Sequence, residues 1–264
     1  MTDLARKASK IQRILVIDPQ QSTAKMLANL LRSIWASAQI YGAKDHASAM
    51  VLAGEINPDL VFVESTGPGL DGLAFAKAYR RSDMACREAP IILISGDTTA
   101  AQILGARDSG IHEFMRRPYT MGDLLKRLEA VSGTSRDWIE AIQYVGPDRR
   151  RFNSADYSGP KKRRTDGSVK AQKMSQALKI IQSAVGAVDS DPVQCARALG
   201  TQARIIIELS NGQEQYRRML SAAIVLQSYL ANASKHGTPL AKDQIGTFAH
   251  NIFSVAPESM RPAA

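Results

Sequence analysis

Four side chains stand where an apolar run of this sequence gives out. Arg13-Ile14-Leu15-Val16-Ile17 ends at Asp18-Pro19, Leu60-Val61-Phe62-Val63 ends at Glu64, and Ile91-Ile92-Leu93-Ile94 ends at Ser95-Gly96. A weaker run, Glu113-Phe114-Met115, is followed by Arg117-Pro118. Together they are a carboxylate, a second carboxylate, a hydroxyl and a cation, the kinds of group that bind and orient a charged ligand. Continuous apolar runs of this length mark parallel strands buried on both faces. In open parallel sheets, ligands bind beyond the carboxyl ends of the strands, near the point where strand order reverses. The runs therefore predict that all four groups meet at one edge.

A second set lies further on. Tyr144-Val145-Gly146-Pro147-Asp148-Arg149-Arg150-Arg151 aligns with Tyr157-Ser158-Gly159-Pro160-Lys161-Lys162-Arg163-Arg164 as a tandem Tyr-x-Gly-Pro-x-basic-Arg-Arg repeat. From Pro147 to Asp166 seven cationic side chains face three aspartates, an excess of +4, close to half of the whole chain's +9. Arginine forks donate paired hydrogen bonds to phosphate, and their planes stack on bases. Asp148 could accept from a guanine edge, and Tyr144, Phe152 and Tyr157 offer stacking faces. The same composition also describes a solvated basic linker, or a segment held by DNA, RNA or an anionic membrane.

Gln39-Ile40-Tyr41 supplies a further weak strand. Amphipathic stretches at Ser22–Ile34, Asp45–Gly54, Gly72–Arg81, Thr98–Ser109 and Thr120–Val131 alternate with the five strands. This alternation predicts an α/β fold, a doubly wound five-stranded parallel sheet with right-handed crossovers. Residues 144–168 lose their aliphatics and read as an exposed linker. Beyond them, apolar stripes run through Met174–Val188, Val193–Ile207, Tyr216–Leu230 and Ala241–Ile252. Asp191-Pro192 is a helix start and Asn211-Gly212 a stop. The expected organisation is a first domain at 1–131, a basic linker at 132–168, and a small all-α interaction module at 169–264 that could form a homodimer.

The strand-end residues resemble the receiver domain of bacterial response regulators, the CheY-like fold, over about residues 12–131. The family pattern is an acidic pair, a phosphoaccepting Asp before a Pro-x-x-Asp-Gly turn, then a Ser/Thr and a Lys-Pro. On it, Asp18 matches the first acidic residue and Ser95 the switch hydroxyl, while Phe114 falls on the aromatic switch position. Pro19 falls on the second acidic residue, Glu64 on the phosphoacceptor, and Arg117 on the lysine. These three departures remove a ligand for Mg²⁺, displace the acceptor carboxylate by about a bond length, and replace a compact ammonium with a planar fork. The resemblance with its departures implies a pseudo-receiver in phosphorelay signal transduction, with Glu64 pairing instead with Arg117. The alternative is residual phosphorylation.

A CheY-like domain with an arginine-rich tail is similar to the Cle class, whose tail binds cyclic di-GMP. That resemblance implies binding through Asp148, Arg149, Arg150, Arg151, Arg163 and Arg164. The second repeat has Lys161-Lys162 where the first has Asp148-Arg149, so its guanine-edge carboxylate is missing.

Other classes are disfavoured. Cys86 and Cys195 have no close Cys or His partner, which argues against a disulfide scaffold and a zinc site and for a reducing compartment. His46, His112, His236 and His250 show no metal-ligand spacing, so neither metal nor cofactor is expected. No P-loop, dinucleotide fingerprint or Gly-x-Ser-x-Gly elbow occurs, and no nucleophile, base and oxyanion hole assemble; the chain is read as non-enzymatic. The charged start lacks an apolar signal core, and no run reaches membrane-span length, so a cytoplasmic protein is expected. The stretch 191–209 pairs Arg197 and Arg204 with Asp191 and Glu208, which is no basic recognition helix, so specific DNA binding is not expected.

Overall fold

The computed structural model describes residues 11–133, 136–149 and 166–262, without the side chains of 166–168. The five apolar runs form parallel strands β1 (Arg13–Ile17), β2 (Gln39–Ala43), β3 (Leu60–Glu64), β6 (Ile91–Ser95) and β7 (Glu113–Arg116). Their order is β2-β1-β3-β6-β7. The direction of winding reverses between β1 and β3, which pair in register from Ile14 with Leu60 to Ile17 with Val63.

Helices α1 (Gln21–Ile34), α2 (His46–Ile56), α3 (Gly72–Arg81), α4 (Ala100–Asp108) and α5 (Met121–Gly133) make the crossovers. Leu27 and Leu31 of α1 and Leu124 and Leu128 of α5 pack with Ile14, Phe62 and Ile92 on one face. Ala49, Phe75, Tyr79 and Ala106 pack with Leu15, Val63 and Leu93 on the other. Each strand thus buries alternate residues on opposite faces, which is why its sequence reads as apolar throughout. A two-residue hairpin, β4 (Thr66–Gly67) with β5 (Leu70–Asp71), follows β3. Asp71 then caps α3 by accepting from the amides of Leu73 and Ala74.

Two compact units divide the chain. Of the described residues, the first comprises those from 11 to 139 together with 144–149, and the second 140–143 together with 166–262. Residues 136–149 therefore differ from the exposed linker that composition predicts. Strands β8 (Trp138–Glu140) and β9 (Val145–Pro147) form a small sheet, and Tyr144 to Pro147 are buried.

Within the first unit the physical reason is a set of arginines. Arg80, wholly buried on α3, donates to the carbonyls of Gly110, Arg87 and Ala89 at 2.9, 2.5 and 2.8 Å. Its guanidinium lies 5.3 Å from the Trp138 ring centre. Arg136 donates to the His112 carbonyl at 2.9 Å and pairs with buried Glu113, which also pairs with Arg127 at 3.2 Å. Gly146, at φ +154°, lies against Gly110, where a Cβ would come within 2.7 Å of the Gly110 Cα.

The second unit contains α6 (Asp166–Gly186), α7 (Pro192–Ser210), α8 (Arg217–His236) and α9 (Lys242–Val255). Each packs on the next, and α9 returns to α6. The apolar stripes read from the sequence supply the buried residues, among them Leu178, Ile181, Leu199, Ile206, Leu226 and Ile252. Asp191 caps α7, accepting from the Gln194 amide, with Pro192 in the first turn. Gln194 donates to Glu140 and to the Ala141 carbonyl at 2.9 and 3.1 Å, which fixes 140–143 within this unit. Helix α6 begins at Asp166, inside the span expected to be linker. No described helix is long and apolar enough to cross a membrane.

Candidate functional site

Parallel pairing in register delivers the strand ends to one edge. Asp18 follows β1, Glu64 ends β3, Ser95 ends β6, and Arg117 follows β7. These four predicted residues come together, and Pro19 stands beside them. Asp18, Pro19, Glu64 and Arg117 border a cleft of about 760 Å³ with Lys44, Asp45 and the 66–69 turn, while Ser95 lies buried behind it.

Arg117 dominates the geometry. Its Nη2 lies 2.9 Å from Asp18 Oδ2 and 2.6 Å from Glu64 Oε2. The Asp18 contact is an aligned hydrogen bond, whereas the Glu64 contact rests on charge, since Oε2 meets no aligned donor. Asp18 also accepts from the Gln20 amide at 2.8 Å and the Thr23 hydroxyl at 2.5 Å. Burial pushes the Glu64 carboxyl above its ordinary range; the Arg117 charge pulls it down and the Asp18 charge pushes it up.

The other positions are equally committed. The Ser95 hydroxyl is buried, accepts from the Ser65 hydroxyl at 2.9 Å, and accepts from the Asp97 amide at 3.0 Å. Pro19 packs on Gly67, where a Cβ would meet its ring at 2.6 Å. Phe114 is buried in the core layer with Phe75, Leu93 and Ala106.

This donor set does not fit Mg²⁺. That ion takes near-octahedral oxygen ligation at about 2.0–2.1 Å. Here a proline replaces the second acidic ligand, and a guanidinium nitrogen already touches both remaining carboxylates. The arrangement is chemically a pair of anions bridged by one internal cation.

Residues 14–129 match the family model described as the response regulator receiver domain. This part of the chain is a receiver domain. The chain is 29% identical over 119 residues to the DNA-binding response regulator MtrA of Mycobacterium tuberculosis, covering 45% of this chain and 50% of that protein. It is 30% identical over 125 residues to the cyclic di-GMP phosphodiesterase response regulator RpfG of Xanthomonas campestris pv. campestris, covering 47% and 32%. The chain thus spans about half the length of the first of these relatives. Among solved structures it is similar to the chemotaxis protein CheY4 of Vibrio cholerae, at 22% identity and a TM-score of 0.42, covering 46% of this chain and 98% of that one.

Asp148 and Arg149 do not join the cleft. They lie beyond β9, near the α4–β7 turn at the amino edge of the sheet, opposite the strand ends described above. The Asp148 amide donates to the Asp137 carbonyl, and Arg149 pairs with Asp108. Tyr144 is buried, and its hydroxyl donates to the Pro147 carbonyl, so its place is inside the turn rather than on a free stacking face. Phe152 and Tyr157 lie outside the described residues, as do Arg150, Arg151, Arg163 and Arg164.

Two contributors escape the sequence reading. Thr23 helps orient Asp18, and its position five residues on, in the first turn of α1, is the available signal. Ser65 holds Ser95, and only strand pairing reveals this, because the two lie 30 residues apart.

Proposed function

We propose that this chain is a signalling regulator whose receiver domain is held in one arrangement by an internal cation and works by binding partners rather than by accepting phosphate. The observation that carries the proposal is Arg117 Nη2, within 2.9 Å of both Asp18 and Glu64. A guanidinium in that position bridges both carboxylates and offsets one of their two charges. The Ser65–Ser95 bond and buried Phe114 leave the switch positions already engaged.

Output on this reading is protein–protein interaction, through the receiver surface and the helical unit, in the cytoplasm. The arginine-rich segment at 148–164 provides its control by binding cyclic di-GMP, a reading supported by the tandem repeat and its local charge. MtrA is named as DNA-binding, and a nucleic-acid role for the basic segment is the competing outcome.

Calorimetry separates these readings. Titration of Mg²⁺ into the protein should give no site-specific heat; stoichiometric Mg²⁺ binding that Asp18→Asn abolishes would overturn the internal-cation account. Cyclic di-GMP should bind near physiological salt and lose affinity in Arg150→Ala/Arg151→Ala. Absence of heat and of thermal stabilisation removes the nucleotide reading, and sequence-dependent binding of duplex DNA at the same salt replaces it.

A further inference from the structure

Arg149, the last described residue of the arginine segment, stands at a place already arranged around charge. Asp108, the last residue of α4, holds two guanidinium groups at once. Its Oδ1 accepts from Arg107 Nε and from Arg149 Nη1, both at 3.0 Å, and its Oδ2 accepts from Arg107 Nη2 at 3.2 Å. Arg149 Cζ lies 4.7 Å from the Tyr144 ring centre, a second contact besides Asp108. Tyr144 is itself held by its bond to the Pro147 carbonyl and by the contact of Gly146 with Gly110. The two arginine side chains are 38% and 49% exposed, and their bonds to Asp108 use two of the five N–H groups of Arg107 and one of those of Arg149.

We propose that Arg107 and Arg149 form a phosphate-binding site on the receiver unit, in which Asp108 is the internal anion that an incoming phosphate displaces. Two forks converging on one carboxylate are spaced for one tetrahedral oxyanion. Contact with Tyr144 has already removed much of the side-chain freedom that Arg149 would otherwise lose on binding. Arg107 also lies in the last turn of α4, where the helix dipole opposes an anion, so both arginines are needed to offset it. The ligand class is a phosphate ester whose charged group is presented at an end or in a backbone. The inference does not depend on how the cleft at Glu64 behaves, and it needs no residue beyond Arg149.

The test is titration of the full chain with inorganic phosphate and, separately, with cyclic di-GMP, following the arginine Nε–H resonances by NMR at low salt. Arg107 and Arg149 should shift together with both ligands. Arg149→Lys keeps the charge but not the fork, and should weaken binding several-fold. Asp108→Asn removes a unit charge at about 5 Å from the ligand and should tighten binding about four-fold at low ionic strength. Equal or weaker binding by Asp108→Asn, or a phosphate affinity, measured by calorimetry, that Arg107→Ala/Arg149→Ala leaves undiminished, overturns the proposal. A response to inorganic phosphate without one to cyclic di-GMP leaves this site standing and removes the cyclic dinucleotide as its ligand.

Discussion

Replacing Arg117 with alanine removes the cation in contact with two inward-facing carboxylates, Asp18 and Glu64. Breaking a buried ion pair by deleting one partner costs roughly 3–5 kcal/mol, while exposed pairs contribute about 0–1 kcal/mol. Asp18 and Glu64 are 8% and 14% exposed and Arg117 is 23% exposed, so the cluster falls between these limits. We expect a loss of about 2 kcal/mol near pH 8. The loss should depend on pH in a defined direction. Burial and the Asp18 charge raise the Glu64 carboxyl, and Arg117 opposes them. Without Arg117 the folded-state pKa rises further above its unfolded value. Such a group stabilises the fold at low pH and ceases to as pH rises through its folded pKa. Arg117→Ala should therefore lose less at pH 5 than at pH 8, and Glu64→Gln in the same background should recover part of the loss. Urea unfolding read by tryptophan fluorescence suits the question, since both tryptophans, Trp35 and Trp138, belong to the receiver unit. Undiminished stability of Arg117→Ala at both pH values, or a loss that is pH-independent and not recovered by Glu64→Gln, refutes the reasoning.

Three further perturbations have expected outcomes. His112 Nδ1 accepts from Arg80 and from the Ile91 amide, and burial foremost holds its pKa well below 6.5. The neutral ring then favours folding above about pH 6.5, and that advantage falls by up to about 1.4 kcal/mol per pH unit as pH drops toward the folded pKa. His112→Asn should flatten this part of the urea-stability profile, and an unchanged slope would assign it elsewhere. Gly146→Ala places a methyl 2.7 Å from the Gly110 Cα at φ +154°, and should cost roughly 1–3 kcal/mol in the same fluorescence assay. Asp191→Ala removes the α7 cap and should cost about 1 kcal/mol in the helical unit, which is read by circular dichroism because that unit holds neither tryptophan.

Much of the receiver is legible because its strands are buried on both faces and its helices carry apolar stripes; β1, β3 and β6 begin where their runs begin. The strand-end groups could be found from position alone, since parallel pairing must bring them to one edge. Sequence pointed to a pair between Glu64 and Arg117. That one nitrogen also reaches Asp18 depends on the spacing between β1 and β3 and on the path after β7. The 136–149 extension was not legible for a clear physical reason. Its apolar residues Trp138, Ile139, Ile142, Tyr144 and Val145 form no run or stripe long enough to mark an element beside the Gly, Pro and Arg that follow, and the forces that bury it come from distant positions. Arg80, at the end of an amphipathic helix, reads as a solvated charge; only the fold shows three carbonyls and the Trp138 ring around it. The first turn of α6, Asp166-Gly167-Ser168, has no apolar signal to mark it.

The most direct test of a receiver bridged by an internal cation is intact-mass spectrometry after incubation with acetyl phosphate and Mg²⁺. Pro19→Asp/Glu64→Asp/Arg117→Lys, which restores the acidic pair, the acceptor and the lysine, serves as the positive control. The account predicts no phosphoryl adduct on the natural chain and an adduct on the variant at residue 64. A phosphoryl group on Glu64 of the natural chain would contradict it.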